Sequence, residues 1–292
     1  MELRQLEAFL AVAEESSFTR AAARMHVVQS AISATIANLE RELGTPLLRR
    51  TSRSVRLTEA GRAFVAPARA TLDAARAARD AVDATTDTVT GVLRLGTMSS
   101  LAGLDLPTLL GTFHRRHPAV EIRTVTSPGG SPGLVTALKA GALDAAFVSH
   151  SAEPLSGLRL VPAASTVLRL AVPEHHRLAP RASVSLGDLL EDRFVDFPEG
   201  YGNRVVTDLA FTGAGIERQV AIEITDVEAA MHYVKQDLGI ALVPDSSTSQ
   251  PGVRVLPVTD CDLTWQVFLA LPDGKHSTAA ARALAGLVAE AG

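Results

Sequence analysis

The chain has 292 residues, 47% of them hydrophobic, with 28 basic and 32 acidic side chains and a net charge of −4. A mean hydropathy of +0.17, without any apolar run of about eighteen residues, argues against a membrane span, and the single cysteine, Cys261, excludes an internal disulfide framework or a cysteine-rich zinc module. Met1-Glu2-Leu3-Arg4-Gln5 has no basic patch followed by an apolar stretch, so the expectation is an unexported, cytoplasmic chain of two or three domains.

An acidic balance argues at first against a nucleic-acid partner, but the charge is unevenly placed. Residues 1–60 hold eight arginines against seven acids, and Arg49, Arg50, Arg53 and Arg56 fall in eight residues with no acid among them. Such a cluster can hold phosphates. From charge alone, a solvated loop is an equal reading.

In residues 1–58, Leu3, Leu6, Leu10 and Ala13 share one helical face. Ser17 is a good N-cap for a second helix carrying Phe18, Ala21, Ala22 and Met25 inward. After a break at His26-Val27, a third helix puts Ile32, Ile36, Leu39 and Leu43 on its apolar face and stops at Gly44, with Pro46 beyond. Leu47-Leu48-Arg49-Arg50, a turn at Thr51-Ser52-Arg53-Ser54 and Val55-Arg56-Leu57 predict a small hairpin. Three short helices and a basic hairpin form the layout of a winged helix-turn-helix, although pattern alone leaves a plain three-helix bundle open. The outward residues of the third helix, Gln29, Ser30, Ser33, Ala34, Thr35, Asn38 and Arg41, favour the first. They are mostly short hydrogen-bonding groups suited to a groove, where a solvent face would carry more lysine and glutamate.

Ser17-Phe18-Thr19-Arg20-Ala21-Ala22, Gln29-Ser30-Ala31-Ile32-Ser33, Ile36, Leu39-Glu40, Leu43-Gly44, Leu47, Arg50 and Leu57-Thr58-Glu59-Ala60-Gly61 together resemble the N-terminal domain of LysR-type transcriptional regulators. The rest of the chain resembles that family more loosely. The resemblance implies DNA contacts at Thr19, Gln29, Ser30, Ser33, Thr35, Asn38, Arg50, Arg53 and Arg56, with the arginines on phosphates. Three positions depart from the pattern. Val28 stands where the family usually has serine, which removes an N-cap contribution of about 1 kcal/mol. Ala34 replaces a common basic residue, and Leu48 the usual phenylalanine beside the wing.

Thr58 can cap a long helix over 59–88, with Pro67 predicting a local kink. Val65, Ala68, Leu72, Ala75 and Val82 make a heptad-like seam of mostly small residues. Such a seam can lie on the body of its own chain; the resemblance implies pairing with a twin helix in a dimer, extended to a tetramer. Thr85-Thr86-Asp87-Thr88 reads as a hinge.

From residue 91 onward strand and helix patterns alternate, which implies a parallel sheet with helices on both faces. The resemblance gives a two-lobed α/β effector domain like that of periplasmic solute-binding proteins. Lobe one spans about 91–161 and 267–292, and lobe two about 162–266. Ligands of such sheets sit beyond the C-terminal strand ends, near helix N-termini. Those loops hold Ser99, Ser100, Ser149, His150, Phe197, Tyr201, Asn203, Arg204, Thr225 and Asp226, and all of these except His150 and Asn203 form the candidate ligand set. Serines and amides at helix starts suit a carboxylate, Arg204 can balance its charge, and Phe197 and Tyr201 can cover an apolar part. Any single serine is equally an ordinary N-cap.

His175-His176 lacks a third nearby ligand, and no nucleophile–base arrangement or phosphate-cradling loop is visible, so neither a metal nor an enzyme is expected. The partners implied are promoter DNA, a small organic effector (a carboxylate among the candidates) and a second copy of the chain, with RNA polymerase left open. Two rival readings remain: a solute receptor of the same two-lobed fold with no role on DNA, and an enzyme on that fold, which would need a catalytic cluster that the sequence does not show.

Overall fold

The computed structural model describes the chain except residue 26, 51–54, 84–88, 102, 128, 150–154, 246–249, 275–276 and 292. The described residues divide into two compact units, one before and one after the stretch 84–88, with 140–142 grouped with the first.

In the first unit α1 (Leu3–Glu15), α2 (Phe18–Arg24) and α3 (Gln29–Leu43) enclose a core of Leu6, Phe9, Val12, Phe18, Ala21, Ile32, Ile36 and Leu39. Ser17 caps α2 by accepting the N–H of Arg20, while Val28 gives α3 no side-chain cap. After Gly44, β1 (Leu48–Arg50) pairs antiparallel with β2 (Val55–Leu57). This wing is tied to α3 by Glu40, whose Oε1 accepts the N–H groups of Leu47 and Leu48 at 2.8 and 3.0 Å. Leu48 fills its place in the core at 6% exposure.

The helix α4 (Glu59–Asp83) begins at Thr58, whose hydroxyl accepts the N–H of Gly61 and donates to the Pro46 carbonyl. It continues through Pro67 as one element. Ala68 and Leu72 are buried in the unit's own core with Val65 packed against it, and Phe64 meets Phe9 at a centroid distance of 5.3 Å. The first part of the expected pairing seam thus serves the chain's own domain. The side chain of Val82 and the 85–88 hinge lie outside the described residues.

The second unit is α/β, but its sheet is mixed where a parallel one was expected. Parallel strands β4 (Val120–Thr126), β3 (Gly91–Thr97) and β5 (Ala145–Ser149) are followed by β11 (Thr264–Pro272) and β6 (Leu158–Pro173), each antiparallel to its neighbour. The sixteen-residue β6 runs from one lobe into the other. Its first part pairs with β11, and its second part with β9 (Ala241–Pro244) and β10 (Val253–Leu256). The second lobe adds the parallel pair β7 (Arg193–Asp196) and β8 (Gln219–Glu223), linked to β9 through a Phe194–Ile240 bridge.

Helices α5 (Leu106–Arg116), α6 (Gly130–Lys139), α7 (Gly202–Ala214), α8 (Val227–Lys235) and α9 (Ala279–Ala291) cover the sheets. The larger core centres on Phe113, Phe147, Phe211, Trp265 and Leu284, and a smaller one in the second lobe holds Val195, Phe197, Met231 and Val243. Asp144, 4% exposed, fixes the β3–β5 region by accepting the Arg94 backbone N–H at 2.7 Å and two guanidinium bonds.

Candidate nucleic-acid interface and ligand cleft

Helical periodicity places Ser30, Ala34, Asn38 and Arg41 on the side of α3 opposite the buried Ile32, Ile36 and Leu39, with Ser33 at its edge, while Gln29, on the same helical line as Ile36, is exposed because it stands in the first turn. Gln29, Ser30, Ala34, Asn38 and Arg41 are exposed and Ser33 is half-buried. Arg41 donates to Asn38 at 2.9 Å, so these two present as a pair. Thr35 departs from the expected set: it is half-buried at the edge of the core face, and its hydroxyl donates to the Ala31 carbonyl at 2.8 Å. Without a side-chain cap at Val28, which is 69% exposed, the first N–H groups of α3 are open at the start of this face.

Two groups of arginines in the first unit differ in their partners. Arg20 and Arg24 pair with Glu14 and Glu15 across α1 and α2, and these carboxylates, against the opposing effect of burial, hold the Arg24 guanidinium above its ordinary pKa. On the wing, Arg49 and Arg56 are cross-strand neighbours, both exposed, and neither has an ion-pair partner among the described residues. Arg49 belongs to the basic cluster and is added here to the expected contact set. Thr19 is exposed on α2. Arg53 and the Arg50 side chain lie outside the described residues.

The cleft of the second unit lies between its lobes. Met98, Ser99, Ser100, Ser127 and Gly130 line it from one lobe, Tyr201, Gly202, Asn203 and Val227 from the other, with Trp265 of β11. It is closed: about 10 Å³ is open, room for one water. The lobes meet where Gly130, at φ +57°, lies so near the Gly200 carbonyl that a Cβ would sit 2.6 Å from the oxygen. A neighbouring cavity of about 320 Å³ is lined by Ser131, Pro132, Val135, Thr136, Ser149, Leu155, Gly200, Gly202 and Val205.

Of the expected ligand residues, the structure brings Ser99, Ser100 and Tyr201 to the cleft, and Ser149 to the neighbouring cavity. The Ser149 hydroxyl accepts from Trp265 Nε1 at 3.0 Å, and its backbone N–H donates to Ser131 Oγ at 2.9 Å. Phe197 is 2% exposed, belongs to the second lobe's core and is not among the residues that line the cleft. Arg204 is likewise committed elsewhere: it donates to Asp208, to Glu223 and to the Phe197 carbonyl. Asp208 and Asp196 raise its pKa against the effect of burial. With Arg218 bridging Asp196 and Asp208, two arginines face three carboxylates, which leaves no positive balance for an anion. Thr225 and Asp226 are exposed beside α8 and do not line the cleft. Sequence reasoning missed Met98, Ser127, Gly130, Gly202, Val227 and Trp265; the Ser-Pro-Gly-Gly-Ser turn at 127–131 was the available signal for two of them.

A three-helix unit with a wing, joined in sequence by a long helix to a two-lobed α/β unit with a cleft, defines a transcription regulator with a ligand-binding domain. Residues 3–62 match the family model for bacterial regulatory helix-turn-helix proteins of the lysR family, and 86–292 match that for the LysR substrate binding domain. The chain is 38% identical over 263 residues to the HTH-type transcriptional regulator ShiR of Corynebacterium glutamicum (strain R), covering 88% of each chain. A cysteine-to-aspartate variant of full-length OxyR from Pseudomonas aeruginosa superposes with a TM-score of 0.75 at 25% identity, over 99% of this chain and 94% of the other. Full-length CbnR in complex with its target DNA gives a TM-score of 0.65 at 26% identity, over the whole of both chains. The chain belongs to the LysR family of DNA-binding transcription regulators, with promoter DNA, a small-molecule effector and further copies of itself as partners. No described helix is long and apolar enough to cross a membrane.

Proposed function

We propose that α3 reads base edges through Gln29, Ser30, Ser33 and Asn38, while Arg49, Arg50, Arg53 and Arg56 of the wing hold phosphates. The observation that carries this reading is the exposed Arg49–Arg56 cross-strand pair on a wing tied to α3 through Glu40, together with an exposed set of short polar groups on α3. Residues 1–58 form the DNA-binding domain, 59–88 the linker that pairs two copies, and 91–292 the effector domain, with lobes at about 91–161 plus 267–292 and 162–266. Two paired domains address two half-sites. The chain acts in the cytoplasm and catalyses no reaction.

The effector is a small organic molecule carrying a carboxylate, held between Ser99, Ser100 and Ser127 of one lobe and Tyr201 and the start of α7 on the other. The cleft is too small for it in the closed form, so binding requires the lobes to part or shift toward the cavity of about 320 Å³. An effector that binds the two lobe arrangements unequally shifts their populations, and with them the spacing of the DNA-binding domains.

A mobility shift on the DNA upstream of the gene, with salt varied and Arg56→Ala alongside, tests the first part. Salt-sensitive binding weakened by the substitution supports it, and binding no tighter than to unrelated DNA refutes it.

A further inference from the structure

The first turn of α7 contains a buried donor that no described residue accepts. Asn203 is 2% exposed and lines the cleft, and its Nδ2 is buried without a hydrogen-bond partner among the described residues. The orientation of its carboxamide is fixed. Oδ1 accepts the N–H of Arg204 at 3.0 Å, and a turned-over amide would set donor against donor. Tyr201, preceding α7, supplies no side-chain cap, so the N–H groups of Gly202 and Asn203 have no partner within the helix. The positive end of the helix dipole lies at the same wall. Ser99, Ser100 and Ser127 stand opposite, and no charged side chain among the described residues lines the cavity. Buried donors in folded proteins are almost always satisfied, so an unmet amide on a cleft wall marks the place of a missing acceptor.

We propose that Asn203 is the specificity-determining donor of the cleft. Its NH₂ group receives one oxygen of the effector's carboxylate, and the open N–H groups of α7 receive the other. The assignment rests on reading the cleft as the effector site. A carboxylate fits because it only accepts hydrogen bonds and carries the charge that a helix N-terminus favours, without a cation in the wall. An amide or alcohol of the same skeleton lacks that charge and places a proton among donors. Asn203→Asp is the discriminating substitution: it keeps Oδ1 for Arg204 and the side-chain shape, while replacing the donor by a negative acceptor.

The test uses the full chain labelled with [¹⁵N]asparagine and titrated with formate, with formamide as the neutral control. The Asn203 side-chain resonance, assigned by its disappearance in Asn203→Asp, should shift saturably with formate and at least tenfold more weakly with formamide. A resonance that formate leaves in place, or that formamide moves equally, overturns the proposal. A panel of larger organic acids is then read by thermal shift in the wild type, in Asn203→Asp and in Ser100→Trp, which fills the cleft. Binding weakened tenfold or more in both variants supports the proposal. Binding lost only in Ser100→Trp overturns the role of Asn203 and leaves the cleft as the effector site. Binding unchanged in both overturns the two readings together. Circular dichroism of each variant, with Asn203→Ala as a second probe of the same donor, separates loss of contact from loss of fold.

Discussion

Trp265 Nε1 donates to Ser149 Oγ at 3.0 Å, joining β11 to β5 across 116 residues of sequence at the place where α7 begins. Gly202 packs against both partners. A Cβ added there would lie 2.3 Å from the Ser149 Cβ and 2.5 Å from Trp265 Nε1, closer than real side chains come. Neither neighbour is the loose end of a flexible chain, because each is buried and held by the other. Gly202→Ala is therefore expected to lower stability by about 1–3 kcal/mol through overpacking and to displace the first turn of α7. Denaturant unfolding would show the loss. A midpoint equal to wild type would mean that the lobes absorb a methyl group there freely.

The sequence made some parts of this molecule legible and others not, for identifiable reasons. The helices of the first unit are short amphipathic elements with local caps, so Ser17, Gly44 and Thr58 mark their ends without tertiary information. The sheet of the second unit is different. The alternation of strand and helix implies parallel order, but whether β6 and β11 return antiparallel depends on partners about a hundred residues apart. The apolar and polar residues around 158–166 do not announce a strand that crosses between lobes. Side-chain direction was equally hidden. Phe197 and Arg204 do lie in the β7–α7 region, but one turns into the core and the other to Asp208, Glu223 and the Phe197 carbonyl. Thr35 could have been separated from the α3 face by its angular position alone, since it falls toward Leu39.

That separation has a measurable consequence on DNA. Arg56→Ala removes an exposed wing cation, and the slope of log affinity against log salt should fall in magnitude by about 0.9 for one lost phosphate contact. Thr35→Val should leave both the slope and the affinity near wild type, because the Thr35 hydroxyl is already bonded to the Ala31 carbonyl. Gln29→Ala should instead relax discrimination at one base pair, by about 1–3 kcal/mol if the contact is bidentate. Titrations at several salt concentrations, on the promoter and on single-base variants, separate the three. A Thr35→Val variant that loses sequence discrimination would return Thr35 to the reading face.

Acid stability should report on Asp188. Its carboxylate accepts the backbone N–H and the hydroxyl of Ser185 and pairs with Arg181, and together these lower its pKa from 3.8 to about 2. A group depressed in the folded state stabilises the fold above its unfolded pKa, and that contribution disappears as pH falls through the folded value. The window is therefore about pH 4 to 2. In Asp188→Asn the melting temperature should lie below wild type at neutral pH, and the gap should close across that window. A gap that stays constant down to the bottom of the window would show that the capping turn is indifferent to the carboxylate's charge.

The likeness to OxyR raises the question of whether this chain answers peroxide through cysteine chemistry. Peroxide reacts with thiolate, and a low pKa with access to solvent is what makes a sensor thiol. Cys261, the single cysteine of the sequence, has the opposite setting. It is partly buried between Asp260 and Asp262, and burial first, then the two carboxylates, push its thiol pKa up. With no second cysteine in the chain, an intramolecular disulfide cannot form. Micromolar hydrogen peroxide should leave DNA affinity unchanged, and Cys261→Ser should match the wild type before and after treatment. The reaction of Cys261 with a thiol reagent should be slower than that of free cysteine at neutral pH and rise with pH to beyond the ordinary thiol range. A peroxide response that Cys261→Ser abolishes would mean that the thiol is activated in a state of the protein where the two aspartates have moved away.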